Sequence, residues 1–270
     1  MYGFFIGDII GNSYTHENES YNLKTKDFSL FTNRSKYSDD TILTFATIDW
    51  LLHTTLSKKD MLETIKKFYS LYPDLTPTIY GESFAHWVES NPTTFRQSLS
   101  NGGAMRCSPI AYTYTDLDKI DSLINRAITP THDSDNARLS AKMVCYSIIY
   151  LKEHKSIEKL VSYISETFGI NLKQNFDDFK ASFTYTSDAL DTVIAALMSV
   201  VNSNSFEDAI RCAVSLGGDT DTITSITGAI AEGIFDIPKP LLDKALSYLP
   251  KHFVSLLQEF HEYMEENAEY

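Results

Sequence analysis

Two short runs in the chain gather oxygen donors at the mouth of what reads as a helix. Ser38-Asp39-Asp40-Thr41 precedes one apolar, period-3.6 stretch, and Gly217-Gly218-Asp219-Thr220-Asp221-Thr222 precedes another. Asp, Ser and Thr favour helix N-termini because their oxygens accept from the unpaired amides there, so capping accounts for either run alone. Together they carry more acid than capping needs. Four carboxylates brought to one place repel each other and cost stability until a cation neutralises them. A donor set made only of oxygen selects a hard cation, Mg²⁺ or Mn²⁺, and an Asp can bridge two such ions. The twelve-residue spacing of an EF-hand loop is missing, which excludes that form of calcium site. Periodicity alone does not bring the two runs together.

Two further segments carry weaker signals. Ser100-Asn101-Gly102-Gly103-Ala104-Met105-Arg106 offers backbone N–H groups to an anion, with Arg106 adding charge. The plainer readings are an ordinary Asn-Gly turn and a salt bridge from Arg106 to one of the many carboxylates. Thr131-His132-Asp133-Ser134-Asp135 precedes a third helix, where His132 either contacts a ligand or helps to cap.

The elements that must hold these residues are helical. Apolar spacing predicts helices over 41–52, 60–71, 136–151, 156–168, 187–200, 206–216, 222–235, 240–248 and 252–264. The 222–235 stretch is rich in Gly, Ala, Ser and Thr, which lets neighbours approach closely and suits a central position. Strand-like alternation is confined to Pro77-Thr78-Ile79 and Ala111–Thr115, and there is no βαβ rhythm. The expectation is an all-α fold, one domain over residues 1–270, with many short helices around one core. Residues 11–38 form the longest stretch without periodicity, a length more often functional than filler.

Composition bounds the rest. The 270 residues carry 23 Lys+Arg against 36 Asp+Glu, a net charge of −13, and 43% are hydrophobic. A chain this long buries enough surface to need no disulfide or structural zinc. Its charge repels phosphate backbones, and no basic stripe compensates, which argues against a broad nucleic-acid-binding role. The three cysteines, Cys107, Cys145 and Cys212, form no CxxC pair. The first residues, Met1-Tyr-Gly-Phe-Phe-Ile-Gly-Asp8, lack a basic leader, and no apolar run reaches membrane-span length. A cytoplasmic, reducing location is expected, and 270 residues suffice for a monomer.

In their combination and order these pieces resemble the ADP-ribosylglycohydrolase family. The matching residues are Gly3–Gly11, Lys24-Thr-Lys-Asp-Phe28, Ser38-Asp39-Asp40-Thr41, Asn101-Gly102-Gly103-Ala-Met105-Arg106 with Pro109, Thr131-His132, and Ser215–Thr222 running into Thr227–Glu232. The resemblance implies a compact helical bundle with a central dimetal cleft, and hydrolysis of the bond between ADP-ribose and an acceptor. It implies two Mg²⁺ or Mn²⁺ ions on Ser38 (usually Thr in relatives), Asp39, Asp40, Asp219, Asp221 and Thr222. Asn101, Gly102, Gly103 and Met105 would border ADP-ribose, His132 would lie near its distal ribose, and the Gly217-Gly218 turn would present Asp219 and Asp221. Asp8 would be structural.

Two departures stand out. Relatives usually carry a Glu four residues after the glycine equivalent to Gly11, where this chain has Thr15. Counted back from Lys24 the role falls on Glu19, with Glu17 beside it. Where relatives read Thr-His-x-His/Asn-Pro, this chain has Asp133-Ser134-Asp135 after His132. Hydrolysis at an anomeric carbon passes through an oxocarbenium-like transition state, with a carboxylate (Asp39, Asp40, Asp219, Glu17 or Glu19) taking the proton from water. The alternatives are a binder of ADP-ribose that has lost turnover, motivated by Thr15, and another Mg-dependent hydrolase of ribosyl substrates. The acceptor, whether protein, small molecule or nucleic-acid base, stays open.

Overall fold

The structure, a computed structural model, describes residues 1–15, 23–72 and 79–266. Helix after helix begins where a short polar side chain accepts from the second or third amide: Ser38, Ser57, Asp116, Ser134, Ser156, Asn175, Asp188 and Ser205 all do so. The described helices are α1 (Gly3–Asn12), α2 (Asp39–His53), α3 (Lys58–Ser70), α4 (Glu82–Glu89), α5 (Ser108–Thr113), α6 (Leu117–Ile128) and α7 (Asp135–His154). They continue with α8 (Ile157–Phe168), α9 (Phe176–Ser182), α10 (Ala189–Val201), α11 (Phe206–Leu216), α12 (Thr220–Ala231), α13 (Lys239–Leu246) and α14 (Lys251–Glu266). Asn101–Gly103 forms a single 3-10 turn. The fold is all-α: the described residues contain no strand, only an isolated bridge between Ser100 and Asp188.

The nine helices expected from periodicity are present, with ends shifted by a few residues. Ala111–Thr115 is not a strand. Residues up to Thr113 close α5, whose Pro at the second position fits a helix start. The other expected strand falls on residues 77–79, of which 77 and 78 lie outside the described residues. Helix α6 repeats Ile120, Leu123, Ile124, Ala127 and Ile128 on one buried face behind an Asp116 cap, a helical pattern in plain view. Helices α4, α5 and α9 are too short for periodicity to resolve.

The centre of the molecule is the pair α1 and α12. Every residue of α12 is buried, and α1 lies along it main chain against main chain. A Cβ added at Gly3 would sit 2.0 Å from Gly228 O, one at Gly7 2.0 Å from Thr224 O, and one at Gly11 2.5 Å from Thr220 O. These glycines recur every fourth residue, so they share one face of α1. Around this pair pack the other helices; Phe45 of α2 stacks on Phe253 of α14 with ring centroids 4.1 Å apart. The contacts of α1 with α2, and of α12 with α2, bring three helix faces to one point. No described helix is long and apolar enough to cross a membrane.

This close approach sets a first prediction. In Gly7→Ala the new methyl meets a carbonyl that no rotamer change can move, so destabilisation of about 3 kcal/mol or more is expected. For a chain of this size that lowers Tm by roughly 6–12 °C. Gly81→Ala, where nothing lies within 4 Å, should stay within about 0.5 kcal/mol of wild type. Equal melting of the two variants in a calorimeter would refute the main-chain contact.

Candidate active site

The two acidic runs meet. The Thr222 hydroxyl, in the first turn of α12, donates to Asp40 Oδ2 at 3.0 Å across to the first turn of α2. Carboxylate oxygens of Asp8, Asp40 and Asp221 lie within 4.8 Å of one another, all on buried residues. Between α1 and α2, Asp8 acts as a template. Its two oxygens accept from Ser38 N at 2.8 Å, Ser38 Oγ at 2.7 Å, Thr41 N at 3.1 Å and Thr41 Oγ1 at 2.5 Å. The carboxylate is thereby saturated and fixes the start of α2, which agrees with a structural role. Asp40 is the opposite case. Its Oδ2 accepts from Thr222 and, at 3.3 Å, from Ser38, while its Oδ1 is buried with no hydrogen-bond partner among the described residues.

Asp221 is held from α1 and its extension. Asn12 Nδ2 donates to Asp221 Oδ2 at 3.3 Å, and the Asp221 amide donates to Thr15 Oγ1 at 2.7 Å. Asn12 stands one turn after Asp8 on α1, a spacing that marks it as a neighbour in the sequence. Thr15 therefore has an occupation of its own: it caps an amide in the first turn of α12, whose N-cap Asp219 makes no side-chain capping bond. Glu17 and Glu19 lie outside the described residues.

Asp8, Asp39, Asp40 and Asp219 hold their protons tightly in the absence of a cation. Burial raises the Asp8 carboxyl to about 7, helped by Asp221 and opposed by the Ser38 and Thr41 hydrogen bonds. Burial, then Asp221, raises Asp219 to about 8 against the pull of Asn101. Burial raises Asp39 and Asp40 well above the carboxylate range, with the neighbouring acids adding to it. A buried acceptor without a donor, among oxygens that resist ionisation together, is satisfied by a hard divalent cation. The donor set fits one.

Above these residues opens a cleft of about 900 Å³. Ser38, Asp39, Asp219, Asp221 and Thr222 line it, with Asp40 and Asp8 beneath. Asn101, Gly102, Met105 and His132 line one flank, and Asn12, Thr15, Arg34 and Lys36 belong to the lining as well. Asn101 Nδ2 donates to Asp219 Oδ2 at 2.6 Å, so its amide orients a floor carboxylate. The two glycines after it have a steric reason. A Cβ on Gly102 would meet His132 Cε1 at 3.0 Å, and one on Gly103 would meet His132 Cβ at 3.2 Å. His132 caps nothing; Ser134 caps α7. Its Nε2 lies 3.0 Å from Ser100 Oγ and its Nδ1 2.7 Å from Thr131 Oγ1. Burial, then Arg106 and Arg96, pushes its pKa well down, so the ring is neutral.

Of the two sequence readings of Arg106, the salt bridge to a carboxylate is the one that fails. The side chain is fully buried and binds no carboxylate among the described residues; it donates to the Gly102 carbonyl, to Ala127 O at 3.2 Å and to Thr131 Oγ1 at 2.6 Å. It braces the turn that carries Asn101. Gly217 and Gly218 adopt φ of 72° and 76°, as the turn into α12 requires, and neither lines the cleft. The cleft also has residues that spacing does not reveal: Tyr80, whose buried hydroxyl has no partner among the described residues, Arg96, and Tyr185, 69% exposed at the rim. Only an aromatic or basic residue isolated in a loop would have marked them, which is no signal at all.

Comparison with known proteins agrees with this arrangement. The ADP-ribosylglycohydrolase family model matches residues 1–268. The chain is 30% identical over 122 residues to the ADP-ribosylarginine hydrolase Tri1 of Serratia proteamaculans (strain 568), a match that spans 42% of this chain and only 33% of that protein. It superposes on a chain of an ADP-ribosylglycohydrolase-related protein complex with a TM-score of 0.73 and 19% identity, over 97% of this chain and 95% of the other. With an all-helical fold, two acidic runs joined beneath one cleft and a match from end to end, the chain belongs to the ADP-ribosylglycohydrolase family.

Proposed function

We propose that the protein hydrolyses the glycosidic bond between ADP-ribose and an acceptor, using Mg²⁺ or Mn²⁺ held by Asp39, Asp40, Asp219, Asp221, Ser38 and Thr222. The observation that carries this reading is Asp40 Oδ1, buried and without a partner among the described residues, beside Asp8, Asp39, Asp219 and Asp221 at the floor of a cleft large enough for a dinucleotide-sized ligand. A bound divalent cation supplies positive charge that polarises oxygens placed against it. The chain does the rest. Asp8 fixes the start of α2, Asn12 and Thr15 fix Asp221, and Asn101 fixes Asp219. His132, neutral and wedged against Gly102 and Gly103, offers a ring edge to a ribose rather than a charge. A carboxylate of the cleft floor, or Glu17 or Glu19, takes the proton from the attacking water as the bond to the acceptor lengthens.

Support for turnover over mere binding comes from Thr15. Its hydroxyl serves the α12 amide, so the residue is integrated into the site and its presence is no sign of decay. Release of ADP-ribose from arginine, serine, nucleic-acid-base and O-acetyl linkages, each with Mg²⁺, Mn²⁺ or chelator, tests the proposal and names the acceptor. Metal-dependent release from one linkage is expected. Tight ADP-ribose binding with no release from any would establish the binding protein instead.

The acid is separable by substitution. If the register counted back from Lys24 is right, Glu19→Gln slows kcat by about 10²-fold or more, and Glu17→Gln by much less. The reverse order would move the role to Glu17. Two unaffected variants would leave an Asp of the floor as the base.

A further inference from the structure

One cation near the cleft is spent entirely on backbone. Lys24 Nζ donates to Lys180 O at 2.9 Å, to Phe183 O at 2.9 Å and to Leu216 O at 2.6 Å, which uses all three of its N–H groups. Lys180 and Phe183 stand at the C-terminal end of α9, and Leu216 is the last residue of α11. Carbonyls at helix C-termini carry partial negative charge, so one ammonium gathers two helix ends. Lys24 does this from a left-handed backbone, φ 45°, a conformation that a lysine keeps only when its surroundings hold it there.

From those carbonyls the chain runs straight to the site. After Leu216 come Gly217, Gly218 and Asp219. After Phe183 come Tyr185 and Ser187, both lining the cleft. The two strands of chain touch: a Cβ on Gly218 would lie 3.2 Å from Phe183 Cε1 and 3.4 Å from Tyr185 Cα. They are joined again in front, where Asn101 N donates to Ser187 O at 2.9 Å and Asn101 Nδ2 reaches Asp219. Lys24, Phe183, Ser187, Asn101, Asp219 and Leu216 thus form a closed ring of bonds with the floor carboxylate as one member.

We propose that Lys24 is a positioning residue: its ammonium, by clasping Phe183 O and Leu216 O, sets where Asp219 stands in the cleft. The proposal rests on the reading of that cleft as the metal-binding centre. It assigns to Lys24 no contact with substrate or cation.

The test compares Lys24→Met, which keeps the stem and removes the ammonium, with Lys155→Met. Lys155 is a matched control: it too has a left-handed backbone (φ 48°) and donates to one carbonyl, Gly233 O, at 2.6 Å, but it does not line the cleft. Hydrogen exchange in peptides covering 183–187 and 217–221 should quicken about tenfold in Lys24→Met, with α14 unchanged, and Mn²⁺ affinity should weaken at least about threefold. Lys155→Met should alter neither. Lys24→Arg keeps the charge but spreads its donors over a planar fork, so it should fold and fall between the two. If Lys24→Met does not fold, Lys24→Arg decides on the same threefold threshold in Mn²⁺ affinity. Exchange and Mn²⁺ affinity indistinguishable from wild type would overturn the proposal. Should wild type bind no Mn²⁺, the metal reading fails, and exchange in those two segments alone decides for or against Lys24.

Discussion

Asp40→Asn should abolish turnover and at the same time raise the melting temperature of the metal-free protein. The two effects have one cause. Asn keeps the shape of the side chain and can still accept from the Thr222 hydroxyl, as Asp40 does at 3.0 Å. Its amide group takes the place of the buried Oδ1 that has no partner among the described residues, and brings a neutral donor into the cluster that Asp40 forms with Asp8 and Asp221. One carboxyl that the metal-free fold must hold protonated, above the pH at which the unfolded chain ionises, disappears, and relief of such a burden is worth about 1–4 kcal/mol of stability. The same change removes the one fully buried carboxylate oxygen that, among the described residues, has no hydrogen-bond partner and is open to a cation. Loss of an outer partner of a metal ligand costs about 10–100-fold, so loss of the ligand itself should exceed a hundredfold in turnover and in Mn²⁺ affinity. Calorimetry on chelated protein and a Mn²⁺ titration check both halves. Turnover within tenfold of wild type would sink the assignment of Asp40, and a lower melting temperature would sink the account of Asp40 as an acid that the metal-free fold keeps protonated at a cost.

Chelation should make the protein less stable as pH rises. Asp8 keeps its proton to about 7 and Asp219 to about 8, whereas in the unfolded chain both ionise near 3.8. Between about pH 4 and 8 the folded state therefore binds more protons than the unfolded one, and stability falls with increasing pH across that window. This is opposite to the usual behaviour of paired carboxylates. A carboxyl moved that far changes stability by several kcal/mol when it acts alone, so the slope should be plain in Tm. A cation displaces the same protons, so the gain in Tm from excess Mn²⁺ should grow from pH 5 to pH 8. Melting curves at several pH values, with chelator and with Mn²⁺, give both slopes. A Tm of the chelated protein that climbs from pH 5 to pH 8 would mean that the acids are already paired within the chain.

Much of this site is legible in the chain because its residues announce themselves twice. Ser38 and the acids after it are both good helix starters and good cation ligands, and the structure finds Ser38 capping α2 as well as bonding Asp8. What spacing cannot supply is the pairing of runs 180 residues apart, which depends on α1 and α12 lying together. The glycines that permit it, Gly3, Gly7 and Gly11, are visible in the sequence, yet their meaning depends on a partner surface that only the fold brings up. Arg106 shows the same limit. A guanidinium in an acidic protein invites a carboxylate partner, but the turn around Asn101 leaves it facing carbonyls. Gly102 and Gly103 look like an anion cradle, and the closer reason for them is the bulk of His132. Residues whose side chains reach the cleft from isolated loop positions, Tyr185 among them, carry no periodic or spacing signal.

The contact of α1 with α12 has a consequence for how such a protein can change. The floor of the cleft hangs from two main chains that touch, and main-chain atoms are the same whatever residues a lineage tries next. The rim is built otherwise, from Asn33–Lys36, Gly81–Phe84, Ser98, Ser100 and Tyr185, all outside that pair of helices. Substitutions there reshape what enters the cleft without moving Asp8, Asn12 or Asp221. Under the proposed function, chemistry and substrate range are thus written in separate parts of the molecule, and the second can be rewritten many times while the first stays still.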